Sequence, residues 1–389
     1  MSSNPWQQGL YWNNFPVEPR KNLGFLEENI KDTNLATKTY PYIIFTGIHE
    51  INFIQLLQND ELIESLRKSG LHIFLYEPVS YYLKEPGVFN HGYYSEFHTK
   101  HDGHAMCGEM DSIQDFTLKT GINCIVHSCD YRFKEVYGKK YPLVNVVTED
   151  IFIKTHTRPP TDVYFVKHIQ KPFLSINGRY TPHRHLMMAY LADKPGNYVW
   201  RFNQDFDEIM KHSDWQEDNL PYDKLRDGNA LLNTRTFEID YTVTKKEVTD
   251  LCGGTEVVHS FNSELVDSMN ECFCLVVNET RFAQPTGNIS EKVFQGFNSL
   301  TPIILAAPPR SLEYVRELGF KTFEKYWDES YDLEPNHSKR LEKIYAVIDY
   351  INDKSLSELN DMYNDMMPIL EYNFQKMETF NVREKVIYK

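Results

Sequence analysis

Short apolar runs alternate with amphipathic segments along most of the chain, and this alternation is what most restricts its fold. Residues 41–45 form an apolar, β-branched run, and residues 51–68 carry apolar positions at roughly helical spacing. Residues 71–76 form a second apolar run that stops before Pro78. A strand, a helix and a strand at such spacing predict parallel pairing in a doubly wound sheet. We therefore expect an α/β fold.

The alternation restarts after a proline-containing link at 157–160. Before this link, an apolar run predicts a third strand at 122–126. After it, apolar runs predict strands at 162–166, 172–176, 198–202, 272–277 and 302–305. Helical spacing and capping residues predict helices at 111–119, 183–191, 290–300, 311–318, 338–352 and 355–377. A chain of 389 residues suits two domains, which we place at 1–165 and 166–360, with a closing helical segment at 361–389.

The net charge argues against a broad nucleic-acid surface. The chain has 41 basic and 55 acidic side chains, which gives a formal net charge of −14. Only residues 166–200 are clearly basic, with five basic residues against one acidic residue. A lone basic window in an acidic protein is either a chance cluster or a candidate anion site. Its basic residues include Lys167, Lys171, Arg179 and Arg184.

The cysteines and the apolar runs indicate in which cellular compartment the protein works and whether it spans a membrane. The six cysteines are sparse for this length and show no CxxC spacing, which is typical of a reducing compartment. The N-terminus has neither a basic start nor an apolar stretch, so no signal peptide is expected. No apolar run approaches the roughly 20 residues of a membrane helix. We therefore expect a cytoplasmic protein with no membrane span.

A strand, a turn and a helix start follow one another at 171–185. The Asn-Gly pair at 177–178 tolerates a positive φ and lets the backbone approach a ligand. Arg179 comes just beyond the carboxyl end of the strand, where an α/β sheet presents its ligand, and Thr181 can cap the next helix. A diphosphate would meet a helix N-terminus and a guanidinium there. The alternative is a plain turn whose arginines are solvated.

A second helix start follows the apolar run at 272–277. Ser290, or Asn288 in an Asn-x-x-Glu capping box, begins a helix just before Glu291. Glu291 and Lys292 then lie in the first turn, where a carboxylate can take both hydroxyls of a ribose and a lysine can reach a phosphate. The alternative is a glutamate placed favourably for the helix dipole beside an exposed lysine.

This second helix start belongs to a longer pattern. Residues 289–294 read Ile-Ser-Glu-Lys-Val-Phe, and a strand with Pro302 and a small-residue loop at 307–312 follow. The pattern resembles the nucleotide-sugar motif of fucosyltransferase-like glycosyltransferases with the GT-B architecture. The continuation at 316–323 and 328–332 is similar to phage- and virus-encoded members. The resemblance extends over residues 170–335 and does not reach the N-terminal half.

The resemblance implies two Rossmann-like domains that face a cleft, with the acceptor in the N-terminal domain and the nucleotide sugar in the C-terminal domain. The architecture often returns its last helix, here within 361–389, to the N-terminal domain. Glu291 would bind the ribose, while Lys292 and Arg179 would bind the diphosphate and neutralise it as it departs. The expected donor-binding residues are Asn177, Arg179, Asn278, Arg281, Ser290, Glu291 and Lys292.

An aromatic and histidine-rich window at 91–104 is the candidate acceptor site of the N-terminal half. Glu96, His101 and Asp102 are the candidate catalytic bases there, because a general base must act near neutral pH. The alternative interpretation is an ordinary surface loop. Two residues that follow other predicted strands, Glu50 and Asp130, compete for the role of base.

Two patterns in the sequence would suit a metal ion. His98, His101 and His104 are spaced evenly, but they lack a flanking cysteine pair. Asp205 and Asp207 match the Asp-x-Asp pattern of metal-dependent transferases, but they lie in a polar segment with helical character. We therefore expect a metal-independent enzyme with no cofactor besides its nucleotide-sugar co-substrate, in which basic residues stabilise the leaving group.

These features predict a glycosyltransferase that moves a sugar from a nucleotide donor to an acceptor hydroxyl. The similarity to phage-encoded members suggests 5-hydroxymethylcytosine in phage DNA as the acceptor, held as a flipped base, in the host cytoplasm. The excess of acidic residues in 1–165 fits a glycan acceptor better. A non-catalytic sugar-binding protein is the alternative from another functional class.

Overall fold

The computed structural model describes residues 43–46, 64, 67, 70–75, 109–128, 130–148, 167–177, 181–200, 246–249, 255–258, 263–283 and 285–387. The chain divides into two compact units. One comprises residues 1–151 with 249–256, and the other comprises residues 152–248 with 257–389. The domain boundary expected between residues 165 and 166 lies outside the described residues.

The first unit contains a four-stranded parallel sheet. Its strands are β1 (Ile43–Thr46), β2 (Leu71–Leu75), β3 (Cys124–Ser128) and β4 (Asn145–Thr148), and its described helices are α1 (Glu109–Thr120) and α2 (Phe133–Tyr137). The strands pair in the order β1-β2-β3-β4. α1 is followed directly by Gly121, whose φ of 70° lies in the left-handed region that favours glycine.

The second unit contains another four-stranded sheet and most of the helices that the structure describes. In chain order the elements are β5 (Lys171–Asn177), α3 (Pro182–Leu191), β6 (Gly196–Trp200), α4 (Ser263–Glu271), β9 (Cys272–Asn278), α5 (Glu291–Asn298), β10 (Ile303–Ala306), α6 (Ser311–Glu317), a 3-10 helix (Ser330–Leu333), α7 (His337–Asn352) and α8 (Leu356–Ile387). Between β6 and α4 in the chain, the strands β7 (Lys246–Thr249) and β8 (Thr255–Val258) pair as a separate two-stranded sheet, whose residues 249–256 are counted with the first unit.

The second sheet reverses its strand order between β5 and β9. Its order is β10-β9-β5-β6, and every neighbouring pair is parallel. The chain passes from β5 through α3 to β6 on one side, and later returns to the other side of β5 as β9. In open α/β sheets such a switch point leaves a crevice outside the carboxyl ends of the two strands, where ligands bind.

The core of the second unit is built around β9. All seven of its residues are buried, as is typical of a central parallel strand covered on both faces, and the thiols of Cys272 and Cys274 are buried with them. α4 and α5 pack against this strand. At Gly296 a Cβ atom would lie 2.6 Å from Cγ2 of Ile303, so a larger residue there would force α5 or the side chain of Ile303 to shift.

α8 packs against α5, β5 and β9. The hydroxyl of Tyr363 donates to the carbonyl of Leu300 at 3.0 Å, and the side chain of Asn373 forms hydrogen bonds of 2.8 Å with the backbone N–H and C=O of Lys321. These bonds fasten the helix to the segment before β10 and to the segment after α6. Across the described part of the chain, no helix combines the length and apolar character needed to span a bilayer.

The predicted α/β class with parallel sheets is confirmed. The predictions at 172–176, 183–191 and 272–277 fall within β5, α3 and β9. The strand expected at 122–126 begins two residues later, because the backbone after α1 remains irregular through Asn123. The strand expected at 198–202 begins earlier, at Gly196. The strand at 162–166 lies outside the described residues, as does the helix at 51–68 except for residues 64 and 67.

Candidate functional site

The carboxyl ends of β5 and β9 meet at two asparagines. The side-chain amide of Asn278 donates to Oδ1 of Asn177 and to the hydroxyl of Ser175, each at 3.2 Å. The amide of Asn177 donates to the same hydroxyl at 3.2 Å and to Sδ of Met188 at 2.9 Å. Both asparagines and Ser175 are fully buried. These bonds fix both amide groups, so the switch point ends in an ordered polar cluster within an apolar core.

Two buried oxygens in and after β9 lack a hydrogen-bond partner in the described part of the chain. Among the described residues, Oδ1 of Asn278 has no hydrogen-bond partner, and neither has the hydroxyl of Thr286 in the connection from β9 to α5. Both residues are fully buried. A buried polar atom without a partner costs about 1–3 kcal/mol, so a water, an ion or a ligand is expected to satisfy such an atom.

The first turn of α3 is tied to the end of β9. Thr181 is the N-cap and accepts a hydrogen bond from the backbone N–H of Arg184 at 3.4 Å, which confirms the predicted cap. The Arg184 guanidinium donates to the carbonyl of Asn278 from Nε at 3.0 Å and from Nη2 at 2.7 Å. Nε2 of His183 lies 2.8 Å from the carbonyl oxygen of Glu279. Arg184 is therefore not a solvated arginine, since its buried guanidinium holds the backbone at the candidate site.

The basic window does not form one surface. Nζ of Lys167 donates to the carbonyl of Cys272 at 2.8 Å, and Nζ of Lys171 donates to Oδ1 of Asn197 at 2.7 Å. Both lysines lie at the amino ends of the strands, opposite to the edge at which the switch-point asparagines lie. The length of β5 therefore separates these two lysines from the carboxyl end of the strand.

Glu279 follows β9 directly and reaches the start of α5. Its Oε1 accepts from the backbone N–H of Ser290 at 2.8 Å, and its own N–H donates to the carbonyl of Ala306 at 2.9 Å. Burial raises the pKa of this carboxyl, and the charge of Lys292 opposes that rise. Ser290 is the N-cap of α5, but its side chain makes no capping bond. The alternative in which Asn288 begins the helix is wrong.

Glu291 and Lys292 lie together in the first turn of α5. Nζ of Lys292 donates to Oε1 of Glu291 at 2.6 Å, and the two side chains are only 19% and 18% exposed. Lys292 is therefore not the exposed lysine of the alternative interpretation. The ammonium interacts with the carboxylates of both Glu291 and Glu279 at the end of the helix where the dipole favours negative charge.

Phe282 lies in the connection that follows β9, and its side chain is fully buried. Its ring stacks on the imidazole of His183, with centroids 4.9 Å apart and planes 16° from parallel. The guanidinium carbon of Arg340 lies 4.2 Å from the ring centroid, its Nη2 donates to the carbonyl of Phe282, and its Nη1 donates to the carbonyl of Glu334 at 2.6 Å. The neighbouring Arg281, expected to border the donor pocket, is also buried.

Six of the seven expected donor residues are described. The structure joins Asn177 to Asn278 and groups Ser290, Glu291 and Lys292 at the start of α5, with the Glu279 carboxylate bridging the two sets. Arg179 lies outside the described residues, as do Glu50, Glu96, His98, His101, Asp102, His104, Asp205 and Asp207. Asp130 is described and is fully buried after β3. The described part of the chain contains no cluster of three or more potential metal ligands.

Sequence reasoning missed several residues that shape this site, among them His183, Glu279, Phe282 and Arg340. Glu279 carried a usable signal, since an acidic residue directly after seven buried strand residues has to find a partner. Arg340 carried none, because its acceptors lie 6 and 58 residues away in the chain.

No known protein-family model matches the chain, and no curated protein matches it either. The structure defines a parallel α/β unit with a polar switch point, and the chemistry of that site is what bears on function.

Proposed function

We propose that the chain is a metal-independent glycosyltransferase of the GT-B architecture whose second unit binds the nucleotide sugar. One observation carries the proposal. β5 and β9 diverge at a switch point that ends in the buried pair Asn177 and Asn278, and Glu279 links this pair to the helix start that bears Glu291 and Lys292. Ligands of open α/β sheets bind at such an edge, and a helix N-terminus with a lysine suits a phosphate.

The pairing of Glu291 with Lys292 suggests how a donor would be held. A diphosphate carries more negative charge than one carboxylate, so it would draw the Lys292 ammonium away from Glu291. The released carboxylate would then accept hydrogen bonds from the two ribose hydroxyls. Arg179 would share the diphosphate charge with Lys292, and the unused acceptor of Asn278 would take a donor group of the nucleotide sugar.

The acceptor hydroxyl would give its proton to Glu96, His101 or Asp102 and attack the anomeric carbon. The bond from that carbon to the diphosphate oxygen breaks, and its electron pair leaves with the nucleoside diphosphate, whose charge Lys292 and Arg179 stabilise. A single displacement inverts the anomeric centre. We place the reaction in the cytoplasm, with 5-hydroxymethylcytosine in DNA as the first candidate acceptor and a glycan as the second.

A thermal-shift screen against nucleoside diphosphates tests the donor site. A true ligand at 100 times its dissociation constant adds roughly 2.7 kcal/mol to the free energy of unfolding. If none of the common nucleoside diphosphates raises the melting temperature, the donor-site assignment fails.

Release of nucleoside diphosphate from donor sugars then tests the reaction. We expect release to depend on an acceptor and to continue in EDTA. Binding without release in the presence of either acceptor would favour the non-catalytic sugar-binding protein. Activity that is lost in EDTA and restored by manganese or zinc would contradict the metal-independent mechanism.

A further inference from the structure

Glu279 connects the last residue of β9 to the first turn of α5. Its backbone N–H donates to Ala306 of β10, so its main chain continues the sheet, while its side chain turns to accept from the Ser290 N–H at 2.8 Å. The residue is 2% exposed. One residue therefore belongs to the sheet through its backbone and to the helix start through its carboxylate.

Several charged and polar groups face Glu279. Lys292 and Glu291 act on its carboxyl from α5, and Nε2 of His183 in α3 lies 2.8 Å from its carbonyl oxygen. The carboxylate is placed so that it accepts from the helix N-terminus and interacts with the lysine that follows the N-cap. Removing it would leave the Ser290 N–H without this acceptor and would take away one of the carboxylates that interact with Lys292.

We propose that Glu279 is a positioning residue for the nucleotide site. By holding the Ser290 N–H, it fixes the first turn of α5 against the ends of β9 and β10, and so sets where Glu291 and Lys292 stand relative to Asn278. The inference rests on the proposed function for the identity of the ligand. The hydrogen bond from the Ser290 N–H to Glu279 is seen in the structure and does not depend on that function.

Three variants separate this role from a general loss of packing. Glu279→Ala removes the acceptor, whereas Glu279→Gln keeps an acceptor oxygen and removes only the charge. Asp332→Ala is the matched control, because Asp332 accepts from the backbone N–H groups of Leu312 at 2.9 Å and Glu313 at 3.2 Å at the start of α6. It removes the same kind of cap from a different helix of the same unit.

The experiment combines hydrogen exchange of residues 286–298 with calorimetric affinity for nucleoside diphosphates. We expect Glu279→Ala to raise exchange in the first turn of α5 and to weaken nucleotide affinity by about 2- to 30-fold, as the loss of a helix cap does. Glu279→Gln should restore both to near wild-type values. Asp332→Ala should raise exchange only around α6 and leave nucleotide affinity unchanged.

The proposal is overturned if Glu279→Ala leaves exchange in α5 unchanged, or raises it while nucleotide affinity stays at the wild-type value. It is also overturned if Asp332→Ala weakens nucleotide affinity as much as Glu279→Ala does. Should the alanine variant fail to fold, Glu279→Asp gives the same comparison, since it shortens the reach of the carboxylate by one methylene group. If no nucleoside diphosphate binds the wild type, the proposed function fails. Hydrogen exchange in the first turn of α5 then still shows whether Glu279 positions that turn.

Discussion

The side chain of Asn278 donates to Oδ1 of Asn177 over 3.2 Å, although 101 positions separate the two residues in the chain. The bond joins the carboxyl ends of the two strands between which the second sheet reverses its order. Ser175 accepts from both asparagines, so the three side chains form one buried cluster with little freedom to rearrange. Its members therefore respond to substitution as a group.

Asn278→Ala should lower the free energy of unfolding by about 1–3 kcal/mol, because Oδ1 of Asn177 loses its donor in a fully buried position. Urea denaturation measures the change. Asn360→Ala, which removes an exposed asparagine of α8, is the control and should change the free energy by less than about 0.5 kcal/mol. Equal stability of the two variants would contradict the role of the cluster.

Lys292→Ala and Arg179→Ala should each weaken nucleoside diphosphate binding by about 1.5–3 kcal/mol, which is the cost of losing a charge-assisted hydrogen bond. Titration calorimetry measures the affinity. Lys325→Ala removes a lysine whose partner Asp365 is exposed, so it should bind like the wild type. Wild-type affinity in both test variants would reject the donor site.

At least one of Glu96, His101 and Asp102 should be needed for transfer but not for donor binding. Replacing a general base by alanine typically lowers the rate by about 100- to 10,000-fold. The measurement is turnover with hydroxymethylcytosine DNA and with simple glycans, alongside donor affinity. If all three variants keep near-normal turnover, the base lies elsewhere, and Glu50 or Asp130 becomes the better candidate.

The stability of the second unit should fall as the pH rises through the titration of Glu329. Burial raises the pKa of this carboxyl to about 7 from its ordinary 4.5, although the Phe323 N–H and the Arg316 guanidinium favour its charged form. At a pH between the ordinary pKa of 4.5 and the raised pKa of about 7, the Glu329 carboxyl keeps its proton in the folded state but loses it in the unfolded chain. The free energy of unfolding therefore decreases with rising pH.

Glu329→Gln should remove this dependence, which corresponds to roughly 1.4 kcal/mol per pKa unit. Urea denaturation of wild type and variant between about pH 5 and pH 7 measures the difference. Glu358→Gln is the control, since the hydrogen bonds from Ser355 lower the pKa of Glu358 and place its titration below this range. Parallel pH profiles of wild type and Glu329→Gln would disprove the assignment.

Arg340→Lys should destabilise the second unit by about 2–4 kcal/mol, because a lysine cannot stack on the Phe282 ring and also donate to two separate carbonyls. Lys339→Met changes the neighbouring exposed residue of α7 and should have little effect. Chemical denaturation compares the two. Similar stabilities would mean that the contacts of Arg340 with Phe282 and Glu334 contribute little to folding.

Local patterns in the sequence were sufficient to predict the strands and helices that surround the candidate site. The apolar run from Cys272 predicts the central strand, and Thr181 before Pro182 predicts the start of α3, because burial and capping depend on residues close together in the chain. The grouping of Ser290, Glu291 and Lys292 followed from the same local rules.

The same local rules fail where partners are distant in the chain. Lys167 falls in one basic window with residues that follow β5, but it lies at the amino end of that strand, which is seven residues and about 23 Å long. Arg184 bonds a carbonyl 94 positions away, which no local pattern reveals. Glu279 replaces the expected side-chain cap of α5 because the end of β9 passes close to that helix, a consequence of sheet order rather than of sequence spacing.

The strand order of the second sheet also bears on synthesis at the ribosome. β5 and β6 emerge early, but the other edge of β5 gains its partner only after β9 has been made, about 100 residues later. Until then a nascent or truncated chain presents one unpaired edge of an apolar strand, which is a template for aggregation. C-terminal truncations that end before Cys272 should accumulate in inclusion bodies, whereas chains that include β9 and all of α8 should not.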